Sequence, residues 1–237
     1  MTLQWICFAA FILYFVGFET AWGLWRFKKI IQSIGDGSMP KTKLYLRLMA
    51  GLWAPLAVVV VLLTMGQLDA ADIGLRWFAP AKQTWLFIAS AAVAGLYLLY
   101  LVYSLIALRI GAVRKTGLSL PIPEDMKLML PATRGEKVAW GFTALTAGVA
   151  EELLFRGFFF YLMGALFPAL PVWVALAAST LIFGVGHLYQ GPMEALKPMV
   201  LGFFFGVFYI SFGSIYPCIL LHTLQDLCAT DLLSQEA

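Results

Sequence analysis

The stretch Glu151-Glu152-Leu153-Leu154-Phe155-Arg156 sets three ionisable side chains inside a largely apolar run from Val138 to Phe167. At the centre of a membrane helix each such group costs about 2.5 to 3.5 kcal/mol, so three together need partners or a purpose. A helix advances about 100° per residue, which puts Glu152 and Arg156 on nearly the same face and turns Glu151 well away. Glu152 and Arg156 then form an i,i+4 ion pair that offsets the cost of both charges. Glu151 is left as the unpaired carboxylate, the group type that serves as a general base. Two further polar sets follow, Phe183-Gly184-Val185-Gly186-His187 and His222-Thr223-Leu224-Gln225-Asp226, and they hold both histidines of the chain. His222 and Asp226 share a helical face, while Gly184 and Gly186 would let a neighbouring helix pack closely beside His187. A Glu-Arg pair is also a common structural clamp, and a lone membrane histidine is more often a packing feature than a base. Both histidines, a free Glu and an Asp in the last four spans, with the first three nearly free of acid and base, favour one shared site.

The elements that must position these residues are membrane helices. Of 237 residues, 62% are hydrophobic and 12% charged, against roughly 45 to 50% and about 25% in soluble domains. The fold class expected is an all-α polytopic transmembrane bundle of about seven spans, six to eight, forming a single membrane domain over residues 1–237. The spans run from about Gln4 to Trp25, Leu46 to Met65, Thr84 to Leu108, Val138 to Leu166, Pro171 to Leu188, Leu196 to Phe212 and Ile215 to Leu232, and the fourth is long enough to tilt or break near Gly141 or Gly148. The first lacks a basic start and is longer than a signal-peptide core, so it reads as a retained span.

Arg26, Lys28, Lys29, Lys41, Lys43 and Arg47 flank the link after span one. The link after span two is nearly neutral (Asp69, Asp72, Arg76, Lys82). The link after span three carries Arg109, Arg114, Lys115, Lys127, Arg134 and Lys137 against Glu124, Asp125 and Glu136. Positive-inside bias places the first and third links in the cytoplasm and the amino terminus outside. Pro121, Pro123 and Pro131 break helix in the third link, so the segment between them is expected to lie in the interface. The net charge of +3 reports orientation, not nucleic acid. Cys7, Cys218 and Cys228 lack metal or disulfide spacing and read as buried small hydrophobes.

In this order, on three different spans, the polar residues resemble the CAAX prenyl protease and bacteriocin-processing (Abi-type) family of intramembrane endopeptidases. The first motif of that family, two Glu and an Arg, stands here as Glu151, Glu152 and Arg156. The second, Phe with His four later, stands as Phe183 and His187, and the third, His with a polar residue four later, as His222 and Asp226. The resemblance covers about Val138 to Leu232 and implies a catalytic helical core at 138–232 with a cavity open to the cytoplasm. It implies that Glu151 with His187 activates the attacking water, that His222 and position 226 stabilise the oxyanion, and that Glu152 and Arg156 orient the helix. Asp226 departs from the common Asn: an ionised carboxylate only accepts hydrogen bonds, so it must be protonated, orient His222 or bind a cation. Two His with one or two carboxylates (Glu151, His187, His222, Asp226) would also suit zinc with a free position for water, and spacing does not separate the two chemistries.

The substrate expected is a membrane-associated peptide or protein, prenylated or leader-type. The lipid bilayer is the other partner, and the compact chain is expected in a bacterial inner (cell) membrane with its site facing the cytoplasm. The rival is a non-hydrolytic membrane protein, an immunity or scaffold protein or a proton-linked transporter, using the same buried polar residues.

Overall fold

The computed structural model describes residues 2–80, 84–109 and 124–233. It is all-α, and no strand occurs among the described residues. Helix α1 spans Thr2–Gly35, α2 Lys41–Thr64, α3 Thr84–Arg109, α4 Glu124–Met129, α5 Arg134–Leu166, α6 Val172–Gly186, α7 Pro192–Phe212 and α8 Tyr216–Leu233. Helices α1, α2, α3, α5 and α7 are long and apolar enough to cross a membrane. Helix α6 is apolar but only 15 residues long, and α8 carries the polar set from His222 to Asp226. The seven helices other than α4 correspond to the seven expected spans. Large apolar side chains such as Leu13, Trp25, Leu96, Leu99 and Leu181 point outward, as a hydrocarbon solvent allows.

Helix boundaries follow local chemistry. Helix α5 begins at a capping box, with Thr133 Oγ1 accepting from the Glu136 N–H at 3.2 Å and Glu136 Oε2 accepting from the Thr133 N–H at 3.1 Å. Pro192 opens α7, and Gly213, at φ 61°, ends it in the left-handed conformation that glycine adopts without steric penalty. The outer link after α2 folds back onto that turn, where Arg76 Nε donates to the Gly213 carbonyl at 2.9 Å and the Ile215 N–H donates to the Gly74 carbonyl at 2.9 Å.

Two expectations differ from the structure. Helix α5 does not break at Gly141 or Gly148; its irregularity is a run of wide π-helical turns at Leu153–Phe158, directly after the two glutamates. Gly148 is instead a contact point, where an added Cβ would lie 3.0 Å from the Thr223 backbone nitrogen and 3.2 Å from the Ile219 carbonyl oxygen of α8. Helix α1 runs on to Gly35, so Arg26, Lys28 and Lys29 lie on its last turns and only a short link joins it to α2. Pro121, Pro123, Lys82, Arg114 and Lys115 lie outside the described residues.

Helix α1 also has a π-helical segment, Leu13–Glu19. The two π segments pack on one another, with the Phe15 and Phe155 rings 4.7 Å apart, and Phe155 meets Phe183 of α6 edge-on at 5.1 Å. Helices α3, α7 and α8 share a second cluster around Leu101, Phe205, Phe208 and Leu221. A third closes the opposite end of α1, where Ile31 and Ile34 meet Leu44 and Tyr45 of α2 and Met129 of α4. There Tyr45 donates to the Met129 carbonyl at 2.7 Å and Lys41 Nζ to the Leu130 carbonyl at 2.6 Å. All three cysteines are buried thiols, as expected.

Candidate active site

Glu151 and Glu152 end the regular part of α5, and the π turns that follow carry Arg156. The pair expected from the spacing is present: Arg156 Nη1 donates to Glu152 Oε1 at 2.9 Å, and the two side chains are 1% and 0% exposed. Buried charges of this kind persist only when paired. Glu151 does turn to another face, and at 15% exposure it lines a cavity of about 1170 Å³. Wide π turns recur at functional sites because they re-aim side chains within a continuous helix.

Helix α8 supplies the next group. The close approach at Gly148 brings its backbone against α5, and His222 Nδ1 meets Glu152 Oε1 at 2.7 Å. Glu152 Oε1 therefore receives both the guanidinium and the imidazole, a link that the spacing did not predict. With Nδ1–H donated to Glu152, the other nitrogen of His222 faces the cavity wall, with Nε2 3.6 Å from Glu151 Oε2 and 3.8 Å from Asp226 Oδ2. Both separations exceed hydrogen-bond length. Asp226 thus shares the His222 face, as expected, but is not bonded to its ring; its side chain is 30% exposed, and its carbonyl accepts from Trp140 Nε1 at 3.2 Å.

His187 caps the end of α6 and lines the same cavity. Its Nδ1 lies 2.7 Å from the Phe183 carbonyl oxygen, which leaves Nε2 as the ring nitrogen free of its own helix. Phe183 sits beneath the guanidinium of Arg156, with Cζ 4.7 Å from the ring centroid, and contacts the His187 ring at 4.7 Å. Gly184 packs against Met199 of α7, with Sδ 2.7 Å from where a Cβ would stand, whereas Gly186 has nothing within 4 Å. Only the first of the two glycines serves close packing.

Two cavity residues escaped the sequence reading. Gln225 accepts a hydrogen bond from the Tyr97 hydroxyl of α3 and lines the cavity beside Asp226. Glu19, the acid within α1, also lines it. The signal for Glu19 was present, since an ionisable group inside a span marks a functional position.

The arrangement can hold a carboxylate and two imidazoles around a cavity large enough for a peptide segment. Among the described residues no group of three or more His, Cys, Asp or Glu side chains is gathered to hold a metal ion. The Nδ1 atoms of both histidines are committed to Phe183 and Glu152. Each ring therefore turns Nε2 away from its own anchor, an orientation that serves a general base and a metal ligand alike.

Residues 134–228 match the family model described as Type II CAAX prenyl endopeptidase Rce1-like. The match contains all three motifs and bears out the family resemblance they carry. No curated protein and no solved structure matches the chain.

Proposed function

We propose, taking the endopeptidase family match over residues 134–228 as premise, that this integral membrane protein hydrolyses a peptide bond of a membrane-associated peptide or protein. The observation that carries the reading is the meeting of Glu151 from α5 with His222 from α8, 3.6 Å apart on the wall of a cavity that His187 also lines. Glu151 is the general base. Across a cavity that His187 also lines, it takes a proton from water as the water oxygen bonds to the scissile carbonyl carbon. The carbonyl oxygen gains the negative charge, and Nε2–H of His222 is placed to donate to it. Glu152 fixes that ring through Nδ1, and Arg156 fixes Glu152. Asp226, 3.8 Å from Nε2, lies at the oxyanion end of the site without bonding the ring. As the C–N bond breaks, the proton held by Glu151 passes to the leaving nitrogen. We place this catalytic core within 138–232.

The cavity is also lined by Arg26, Lys29, Arg47 and Lys197, which lie at the end of the bundle where positive-inside bias puts the cytoplasm. We infer that the active site opens to that side, in a bacterial inner membrane.

The test is a cleavage assay on lipid-anchored peptides with the full chain in bilayers. Glu151→Gln and His187→Ala should each lower turnover by about 10² to 10⁴-fold, and the native rate should persist in excess chelator. A folded Glu151→Gln protein that cleaves as the native does would sink the reading and leave the binding-only alternative. Loss of activity in chelator with recovery on zinc would restore the metal route.

A further inference from the structure

Glu19 is a cavity carboxylate that the hydrolytic mechanism does not use. It closes the π segment of α1, and its carboxylate accepts from the Tyr14 hydroxyl at 2.9 Å. The same hydroxyl lies 2.6 Å from the Gly51 carbonyl oxygen of α2. One phenolic proton cannot serve both acceptors in full. No Lys, Arg or His among the described residues stands within ion-pair distance of Glu19. A membrane carboxylate with half a donor and no cation is costly unless something else arrives to pair with it.

Its surroundings indicate what arrives. Tyr14 bonds Glu19, and Phe18, Trp22 and Tyr189 line the same cavity; aromatic rings beside a carboxylate can seat a desolvated cation. Tyr189 is fixed there, because Gly23 lets the Tyr189 ring press on the α1 backbone at about 3.1 Å from a would-be Cβ, and its ring meets Phe27 at 4.8 Å. Tyr189 follows His187 by two residues and its ring faces the His187 ring at 6.3 Å. The seat and the hydrolytic groups are thus neighbours along one wall. The other acids lining the cavity are Glu151, Asp226 and Glu194, the last paired with Lys197 at 2.6 Å, and its basic residues are Arg26, Lys29, Arg47 and Lys197.

We propose that Glu19, set among Tyr14, Trp22 and Tyr189, is the specificity-determining residue for a positively charged side chain, Lys or Arg, of the peptide substrate. This rests on the endopeptidase reading. A cationic side chain seated at Glu19 would register the peptide so that a bond a short distance along it lies between Glu151 and His222.

The test uses the full chain in bilayers and palmitoylated fluorogenic peptides in which each position is scanned through Lys, Arg, norleucine, Gln and Glu. The native protein should prefer Lys or Arg over norleucine at one position by at least about tenfold in kcat/KM, the scale of a close desolvated charge pair. Glu19→Gln keeps the acceptor for Tyr14 and removes the charge, and it should reduce that ratio to below about twofold; Glu19→Lys should invert it toward the Glu peptide. A ratio unchanged in Glu19→Gln, or no positional cation preference in the native protein, overturns the proposal, and the second outcome needs no variant to fold. Binding of the same peptides to the Glu151→Gln protein separates the two claims. A Lys preference in binding with no cleavage by the native chain would keep the seat and defeat the hydrolase, while cleavage without preference does the reverse.

Discussion

Glu152 Oε1 is the busiest atom in the site. It takes Arg156 Nη1 at 2.9 Å and His222 Nδ1 at 2.7 Å in a place with no exposure, while Glu152 Oε2 and Arg156 Nη2 have no hydrogen-bond partner. Removing the guanidinium would leave a buried carboxylate held by the His222 imidazole alone. Arg156→Ala should therefore lower stability by about 3 to 5 kcal/mol, read as a drop in the unfolding midpoint of the purified protein. Adding Glu152→Gln to Arg156→Ala should recover part of that loss, since no uncompensated charge remains. A double variant as unstable as the single one would show that the pair is not what the charge argument says. The split between Glu151 and Glu152 was legible in the sequence because it needs only the helical repeat. The junction with His222 was not, because it depends on how closely α8 approaches α5, and two helices apart in the chain leave no periodic trace of their distance.

That approach is decided at the level of elements. Gly148 of α5 faces backbone atoms of α8 at 3.0 and 3.2 Å from where a Cβ would stand, and backbone cannot swing aside as a side chain can. Gly148→Ala should cost about 1 to 3 kcal/mol through overpacking and, by moving His222 off Glu152, depress turnover further than the stability loss alone implies. Gly141 has nothing within 4 Å, so Gly141→Ala in the same helix should be neutral or stabilising by about 0.5 to 1 kcal/mol. Equal effects at the two positions would refute the close-contact account. Both glycines read in sequence as places where the helix might bend, and neither does so; the bend falls at Leu153–Phe158, where no proline announces it. Wide turns there follow from tertiary contacts, among them Gly157 pressed to within 2.8 Å, at its would-be Cβ, of the Ile73 carbonyl oxygen from the outer link. Gly184 against Met199, by contrast, was expected from its small size, a rule that fails at Gly186 two residues on.

At the scale of the molecule, Arg26, Lys29, Arg47 and Lys197 gather along the one cavity. Cys7, Cys218 and Cys228 are buried, so a single surface cysteine reports its own side. Ser38→Cys, in the link between α1 and α2, should react with a membrane-impermeant maleimide only after the membrane is opened, and Gly66→Cys, after α2, should react in intact cells. The opposite pattern would invert the bundle and turn the cavity outward. Span number, charge bias and the three motifs were legible from composition and spacing, which are local properties. Glu19 was passed over because span one looked apolar on average, and an average hides one residue whose meaning comes from the wall it faces. The pairing inside α5 has one more consequence, for biosynthesis. Helix α5 leaves the ribosome before α8 exists, so His222 cannot shelter Glu152 at the moment of insertion. Because Arg156 lies on the same helix, α5 brings its own counter-ion into the bilayer, and the last helix to arrive completes the site around a charge that is already neutralised.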